Sequence, residues 1–255
     1  WETGTWTTGY WDCCKPSCSW EGKGNTDNPV TSCAAGTGKK LADSNVKSVC
    51  NGGTAVTCSD NRPFEVHANL SMGFVAAAVS GSRGLVGDEN CGQCYELLFG
   101  GRQHVDEGTG DLWGGADPDL VGKRMIVQVT NIGHDVTGNH SFDIQIPGAG
   151  QGIFHKGCKT QFPGYGADDF DCGVRYGGCR KKADCAKLPK ELRGGCEWRF
   201  GWYEWLHKGG QTNNPYIRFR RVQCPQRLVD ISGSRPTDDK GFPAAVESES
   251  FYYFA

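Results

Sequence analysis

The cysteine content constrains the fold of this chain more than any other feature of its sequence. There are 14 cysteines among 255 residues, which is far more than a reducing cytosol leaves unpaired, and the even number allows seven disulfides. Because 37% of the residues are hydrophobic, the chain can also bury a core of its own, so the disulfides would fasten loops. We therefore expect a secreted, extracellular protein.

Charge and hydropathy exclude two classes of partner. With 27 Lys and Arg against 29 Asp and Glu, the chain has no excess of the basic residues that binding to nucleic acids or anionic membranes requires. The longest apolar run, residues 73–79, is much shorter than the roughly 20 residues that span a bilayer. The sequence opens on Trp1 without a basic and then apolar stretch, so we expect any secretion signal to have been removed.

Alternating apolar and β-branched or aromatic residues predict strands over residues 95–99, 124–130, 142–146, 198–203 and 216–222. Helical patterns are few: residues 65–79 are ambiguous, and residues 181–192 are interrupted by Pro189. Long glycine-rich loops between the strands favour a mainly β closed barrel over a parallel α/β sheet. No repeat, linker or separate binding module interrupts the sequence, which predicts one domain over residues 1–255 with a peripheral tail from about residue 244.

Two long loops have distinctive compositions. Residues 100–122 combine glycines with five carboxylates, and residues 162–178 include a second acidic group around Asp168. The carboxylates of the first loop do not have the alternate spacing of a calcium-binding loop, so a solvated surface loop is the better interpretation.

Most familiar catalytic and cofactor motifs are missing. The sequence has no dinucleotide or phosphate-binding glycine loop, no histidine pair at zinc-binding spacing and no nucleophile elbow. The Cys91–Cys94 pair has no second CxxC partner, which favours structural disulfides over a metal site. We therefore expect no metal ion and no other cofactor, and the chemistry falls to carboxylates.

The first candidate carboxylate is Asp12. It follows Tyr10 and Trp11 and precedes two adjacent cysteines, whose disulfides would hold its backbone rigidly, as preorganised catalysis requires. Tyr10 and Trp20 offer flat faces for sugar rings, and Lys15 offers hydrogen-bond donors. The alternative is that the aromatic residues belong to the core and Asp12 to a turn, and the residues alone leave both open.

The second candidate is Asp143, which alternates with the apolar residues Phe142 and Ile144 and so points away from the apolar face of its strand. Asp135 lies eight residues earlier in a polar segment that we interpret as a loop. A strand carboxyl beside a second negative charge makes a suitable general acid, because the charge and partial burial raise its pKa. A solvent-facing Asp on an edge strand is the alternative.

Two segments together resemble the signatures of glycoside hydrolase family 45, the small endoglucanases: Tyr10-Trp11-Asp12-Cys13-Cys14-Lys15-Pro16-Ser17-Cys18 and Phe142-Asp143-Ile144-Gln145-Ile146-Pro147-Gly148. Shorter matching stretches follow in family order, so the resemblance covers roughly residues 7 to 245. It implies a six-stranded double-psi β-barrel, an open groove, and hydrolysis of internal β-1,4 bonds of cellulose or soluble β-1,4-glucans by a monomer, with inversion at the anomeric carbon.

The resemblance also implies roles for individual residues. Asp12 matches the general base, Asp143 the general acid and Asp135 an assisting aspartate. Residues matching groove-lining positions are Thr8, Tyr10, Lys15, Trp20, His140 and Tyr176. Ser141, between His140 and Phe142, looks like an added residue, and the loops 100–122 and 162–178 are longer than in fungal members.

The resemblance further implies six disulfides: Cys13–Cys158, Cys14–Cys50, Cys18–Cys91, Cys33–Cys58, Cys94–Cys224 and Cys185–Cys196. Cys172 and Cys179 remain, and we predict that they pair across the enlarged loop that carries Tyr176. Expansins and barwin-like proteins share this barrel, so a non-catalytic wall-binding protein is the main alternative. A hydrolase that prefers another β-glucan or glucomannan is a third hypothesis.

Overall fold

A closed barrel of six β-strands forms the centre of the protein. The computed structural model describes residues 1–81, 83–137, 140–165, 172 and 175–248. The strands are β1 (Glu2–Tyr10), β2 (Cys33–Ala34), β3 (Ala55–Val56), β4 (Phe64–His67), β5 (Leu70–Ser80), β6 (Cys94–Phe99), β7 (His104–Val105), β8 (Leu112–Trp113), β9 (Arg124–Thr137), β10 (His140–Gln145) and β11 (Tyr216–Val222). The α-helices in the described residues are α1 (Gly157–Gln161), α2 (Lys190–Phe200) and α3 (Gln226–Ser232). Short 3-10 helices cover Ser17–Ser19, Val49–Asn51, Asp88–Asn90, Gly152–Phe154, Lys182–Lys187, Leu206–Lys208 and Asp239–Gly241.

The barrel closes because β5 pairs with strands on both of its sides. The strand order is β10-β1-β11-β6-β9-β5, and residues 75–77 of β5 pair with β10 to close the barrel. Residues 70–72 of β5 pair with β4, which lies outside the closed barrel. The β1–β10 and β5–β9 pairs are parallel and the other barrel pairs are antiparallel. Closure leaves no free edge on the barrel. The predicted mainly β fold with a closed six-stranded double-psi barrel and few helices is confirmed.

The ambiguous segment 65–79 forms two strands, β4 and β5. Strand β5 is buried along almost its whole length, and a continuous apolar run is typical of a strand covered on both faces. Its small residues allow close packing: a Cβ on Gly73 would lie 2.7 Å from Cε of Met125. The apolar run therefore belongs to a strand inside the barrel and carries no helical stripe.

The predicted strand over residues 198–203 is wrong, because this segment is the end of helix α2 and the turn after it. Leu192, Cys196 and Phe200 recur every four residues and are all fully buried, which is the spacing of a helix stripe. Pro189 directly precedes the helix, where its fixed φ suits the start of a helix and does not interrupt it.

Seven disulfides cross-link the described chain, and all 14 cysteines take part. The pairs are Cys13–Cys158, Cys14–Cys50, Cys18–Cys91, Cys33–Cys58, Cys94–Cys224, Cys172–Cys179 and Cys185–Cys196. They coincide with the six pairs that the resemblance implies and with the seventh predicted here. Three of them start from residues 13–18, so the segment after β1 is tied to three distant parts of the chain.

The long loop 100–122 lies on the surface as expected, but it contains the small hairpin β7–β8. No group of three or more His, Cys, Asp or Glu in the described ranges is arranged to hold a metal ion. None of the described helices is long and apolar enough to cross a membrane. Asn139, Asp168 and the end of the tail from residue 249 lie outside the described residues.

The first part of the tail packs along the barrel. The Arg124 guanidinium donates hydrogen bonds to the carbonyl oxygens of Val246 and Ser248, at 3.0 and 3.1 Å. The same guanidinium contacts Glu96, a fully buried carboxylate that also pairs with Arg220. Because a buried charge needs such partners, these contacts connect residues 246–248 to the barrel.

Candidate active site

A long cleft crosses the mouth of the barrel. It consists of two adjoining cavities of about 520 and 460 Å³ that share Tyr10, Asp135, Asp143, Gly152 and Ile153. The cleft contains the three candidate catalytic carboxylates and all the groove-lining positions predicted from the sequence. Asp12, Lys15 and Trp20 line the first half, Thr8, His140 and Tyr176 line the second, and Tyr10, Asp135 and Asp143 lie where the halves meet.

Asp143 is held in the cleft by the two strands beside β10. Its neighbours Phe142 and Ile144 are fully buried in the core, so the alternation of the strand directs Asp143 to the opposite side, into the cleft. Thr8 lies opposite Asp143 in the parallel β1–β10 pair, and Ala76 lies opposite it on β5. The backbone of this carboxylic acid is therefore fixed from both sides.

The surroundings of Asp143 favour its protonated form. Burial raises the pKa of Asp143 well above its ordinary value, and the negative charges of Asp135 and Asp12 raise it further, while a hydrogen bond from the Thr8 side chain opposes this shift. The Oδ1 atom is buried and has no hydrogen-bond partner in the described part of the protein. A protonated carboxyl that lines a cleft is suited to donate a proton to a substrate bound there.

Asp12 is the second residue after β1 and is half-buried. The backbone N–H of Cys14 donates a hydrogen bond to its Oδ1 at 2.9 Å. Burial raises the pKa of Asp12 to about 6, and the charge of Asp135 adds to this, whereas the hydrogen bond from Cys14 lowers it. Asp12 is thus ionised above about pH 6, and the cleft holds one carboxyl suited to accept a proton and another suited to donate one.

The cleft-facing side of β1 carries Thr8 and Tyr10, two residues apart. The Tyr10 hydroxyl accepts a hydrogen bond from Nδ2 of Asn131 at 3.2 Å, and Oδ1 of Asn131 accepts one from the Ser17 N–H at 2.8 Å. Burial, followed by the charges of Asp12 and Asp143, raises the pKa of Tyr10 well above its ordinary value, so the phenol stays protonated. Sequence reasoning missed Asn131 and Ser17, although Asn131 follows the predicted strand 124–130 directly.

Lys15 supports one wall of the cleft. Its ammonium group lies 3.2 Å from the centre of the Trp20 ring and donates hydrogen bonds to the carbonyl oxygens of Ser44 and Val46, at 2.5 and 2.9 Å. Burial lowers the pKa of Lys15 to about 8, and Asp43 partly offsets the shift. Two of the three donors of Lys15 are therefore engaged within the protein, and the cation fixes the orientation of Trp20 in the cleft.

Asp135 is not in a loop, contrary to the interpretation of the sequence. It lies near the end of β9, which continues to Thr137, where Thr137 pairs with Ser80 of β5 after an irregularity in the register that includes Asp135. Asp135 is exposed at the junction of the two halves of the cleft. Its negative charge therefore acts on both Asp12 and Asp143, as their raised pKa values reflect.

Ser141 forms a bulge in β10. Trp6 lies opposite His140 and Thr7 lies opposite Phe142, so Ser141 is one residue more than β1 matches. The Ser141 Oγ accepts a hydrogen bond from the Thr5 N–H at 2.9 Å. The bulge leaves Asp143 in register with Thr8 and leaves the His140 ring 4.8 Å from the Trp6 ring at the cleft wall.

Tyr176 lies at the far edge of the second half of the cleft, where 66% of it is exposed. Its segment packs tightly against residues 148–150, because Gly178 adopts a φ of +71° and a Cβ there would overlap the Gly148 carbonyl oxygen. The buried Arg199 guanidinium stacks on the Trp205 ring at 3.6 Å and donates to the carbonyl oxygens of Gly148 and Cys179. Sequence reasoning assigned no role to Arg199 or Trp205.

Comparisons with known proteins show the family to which this chain belongs. The model of glycosyl hydrolase family 45 matches residues 4–235. The chain is 42% identical over 226 residues to an endoglucanase of Cryptopygus antarcticus (89% of this chain, 86% of that protein). It is 37% identical over 228 residues to an endoglucanase of Phaedon cochleariae (89% and 81%). The crystal structure of cellulase from the Antarctic springtail Cryptopygus antarcticus matches with a TM-score of 0.73 and 40% identity, covering 93% of this chain and 99% of that chain. The chain therefore belongs to glycosyl hydrolase family 45.

Proposed function

We propose that this glycoside hydrolase cleaves internal β-1,4 bonds of cellulose and related soluble β-glucans outside the cell, by single displacement with inversion. Asp143 is the general acid and Asp12 the general base. The observation that carries this assignment is the pair of carboxyls in one cleft, with one pKa raised to about 6 and the other raised well above its ordinary value. The cleft continues on both sides of Asp143, which suits a chain cut at an internal bond.

In the proposed reaction, Asp143 gives its proton to the glycosidic oxygen as the bond between that oxygen and the anomeric carbon breaks. The resulting carboxylate keeps its hydrogen bond from Thr8, which stabilises the negative charge. Asp143 must be protonated before this step, and its burial and the neighbouring charges of Asp135 and Asp12 favour that state.

Asp12 removes a proton from a water molecule while that water attacks the anomeric carbon from the opposite face. An inverting enzyme needs room for this water between its two carboxyls, and Asp12 and Asp143 both line the half of the cleft of about 520 Å³. The Cys14 N–H holds Oδ1 of Asp12 in place. The exposed carboxylate of Asp135 adds negative charge where positive charge develops on the sugar.

Aromatic surfaces and polar groups of the cleft suit an uncharged polysaccharide. The Trp20 ring, backed by Lys15, and the exposed Tyr176 offer flat faces to sugar rings. A monomer with one catalytic domain over residues 1–255 suffices, because each proposed catalytic group lies in the same chain. An expansin-like or barwin-like binding role is disfavoured, since such a role needs no base like Asp12, while glucomannan and other β-glucans remain alternative substrates.

The configuration of the first products tests the proposed reaction. Proton NMR of a soluble β-1,4-glucan during early hydrolysis should record the α-anomer before mutarotation, because single displacement at a β-linked carbon inverts it. Early appearance of the β-anomer would contradict inversion. An absence of hydrolysis with retained binding would support the wall-binding alternative.

The pH dependence of kcat/KM tests the two roles separately. Asp12 must be ionised, so kcat/KM should fall as the pH drops through about 6. Asp143 must be protonated, so kcat/KM should fall again at a higher pH, where it loses its proton. Thr8→Val removes the hydrogen bond that lowers the pKa of Asp143, so the high-pH limb should move to higher pH while the low-pH limb stays. An unchanged high-pH limb in this variant would argue against Asp143 as the acid.

A further inference from the structure

We propose that Trp113 is an additional glucan-binding platform, which continues the cleft beyond His140 and binds one sugar unit of a long chain by stacking. The inference rests on the proposed function and specifies how far along a β-glucan the protein makes contact. It concerns the hairpin β7–β8, which carries no disulfide and has no part in the proposed reaction.

The Trp113 ring has one covered face and one open face. On the hairpin, Trp113 lies directly opposite His104, and their rings stack with centroids 4.0 Å apart and planes 14° from parallel. Trp113 nevertheless remains 41% exposed. Because His104 covers one face, much of the exposed area belongs to the other face. An open, flat aromatic face is what the apolar side of a sugar ring stacks upon.

The ring is also held rigidly before any ligand binds. His104 is almost fully buried, and its Nε2 lies 2.8 Å from the Asn214 carbonyl oxygen. The His104 ring contacts Trp6 at 4.6 Å and Tyr216 at 4.5 Å. Burial lowers the pKa of His104, so an uncharged imidazole supports the indole near neutral pH. A preorganised aromatic surface loses little conformational entropy when it binds a ligand.

Contacts through Trp6 connect Trp113 with the cleft. Trp6 lies 6.2 Å from Trp113 and 4.8 Å from His140, measured between ring centroids, and His140 lines the cleft. Trp6 and Thr8 project from the same side of β1, two residues or roughly 7 Å apart. A glucan that extends from Asp143 towards the beginning of β1 therefore passes His140 and then reaches Trp113.

The backbone joins the hairpin to the same wall. The N–H of Gly115 donates to the carbonyl oxygen of Asn213, and the N–H of Asn213 donates to that of Gly115, both at 2.7 Å. Asn213 and Asn214 line the cleft next to His140. The hairpin that carries Trp113 is thus hydrogen-bonded to the cleft wall, and this attachment favours the substrate chain over an unrelated protein partner as the occupant of the Trp113 ring.

The hairpin supplies a matched control. Leu112 and Val105 form the neighbouring cross-strand pair and project from the other side of the hairpin, as alternation requires. Leu112 is 64% exposed, and its aliphatic side chain is not part of the stack of rings formed by Trp113, His104 and Trp6. Shortening the Leu112 side chain to alanine reduces the apolar surface of the hairpin without changing the proposed platform.

The experiment compares Trp113→Ala, Trp113→Leu and Leu112→Ala with the unmodified enzyme on β-1,4-linked oligosaccharides of increasing length and on a soluble polymer. Loss of one stacking contact should lower kcat/KM for the longest substrates by about threefold to tenfold. The shortest hydrolysed substrate should be cleaved at the unmodified rate. Trp113→Leu keeps apolar bulk against His104, so it should lose as much as Trp113→Ala, whereas Leu112→Ala should lose nothing.

Other outcomes would overturn the proposal. An equal loss at every substrate length would mean that Trp113 acts on the fold of the active site, and an unchanged length dependence would mean that no sugar binds there. A loss in Leu112→Ala matching that of Trp113→Ala would assign the effect to the hairpin as a whole. If the unmodified enzyme hydrolysed no β-1,4-glucan, the proposed function itself would fail.

Binding of the long oligosaccharide to Asp143→Asn, with and without Trp113→Ala, measures the contribution of the platform independently of turnover. An equal dissociation constant for the two proteins would contradict the proposed platform.

Discussion

The Asp143→Asn variant is expected to lose about 100-fold to 10,000-fold in kcat, the contribution of a positioned general acid. The amide has nearly the shape of the carboxyl but has no acidic proton to give to the leaving oxygen. Because the substitution leaves the cleft walls intact, the dissociation constant for an oligosaccharide should change little. Hydrolysis rates and equilibrium binding, measured on the same preparation, check the two expectations.

A matched control for this variant is Asp230→Asn, which changes an exposed carboxylate on α3 whose described side-chain partner is Gln226. That variant should keep full activity. Asp12→Asn should lose activity over the same range as Asp143→Asn, because the attacking water then lacks its base. Comparable turnover by Asp143→Asn and the unmodified enzyme would remove the acid assignment, even if the Asp12 variant were inactive.

Removing the disulfide between Cys13 and Cys158 should lower the free energy of unfolding by about 4 kcal/mol. The bridge spans 145 positions of the sequence, although neighbouring disulfides shorten the loop that it closes in the unfolded chain. Cys13 also adopts a left-handed backbone conformation, with a φ of +63°, which is unfavourable for a residue with a side chain. The Cys13→Ala, Cys158→Ala double variant should therefore unfold at lower denaturant concentration, and it should lose activity because Asp12 is adjacent to the released residue.

The Cys172→Ala, Cys179→Ala double variant is the comparison for this prediction. Its bridge spans 7 positions, so its removal should lower the free energy of unfolding by about 2 to 3 kcal/mol in the chain-entropy description. Denaturant unfolding under non-reducing conditions measures both variants. Equal losses would indicate that native contacts, and not the length of the closed loop, determine the contribution of each bridge.

Local sequence predicts where the two proposed catalytic carboxyls point, whereas their proposed roles come from the resemblance to the family. Phe142 and Ile144 belong in the core, so the residue between them must face the other way. Asp12 lies just before two cysteines, and three disulfides from residues 13–18 do restrain that segment. In both cases the neighbours along the chain indicate the direction of the side chain, while distant partners hold it in place.

Other features depend on distant partners that no local pattern reveals. The Arg199 guanidinium donates hydrogen bonds to the carbonyl oxygens of Gly148 and Cys179. Because every residue has a backbone carbonyl, the sequence does not indicate which ones Arg199 contacts. Asp135 lies within β9 because β5 pairs with residues on either side of it, Gly133 and Thr137, not because its own segment is apolar. The aromatic run 198–203 fits a strand pattern as well as the end of a helix, and the packing of Leu192, Cys196 and Phe200 decides between them.

The Ser141 bulge also bears on how this protein could change during evolution. Inserting one residue inside a regular strand would reverse every side chain beyond it, and here that would turn Asp143 into the core. The extra residue is instead absorbed where Thr5 binds Ser141, and the pairing of Thr8 with Asp143 is kept. The chain therefore holds an additional residue next to His140 without a change in the direction of the Asp143 side chain. A change absorbed at this bulge would therefore alter the rim of the cleft at His140 and leave Asp143, the proposed acid, in register with Thr8.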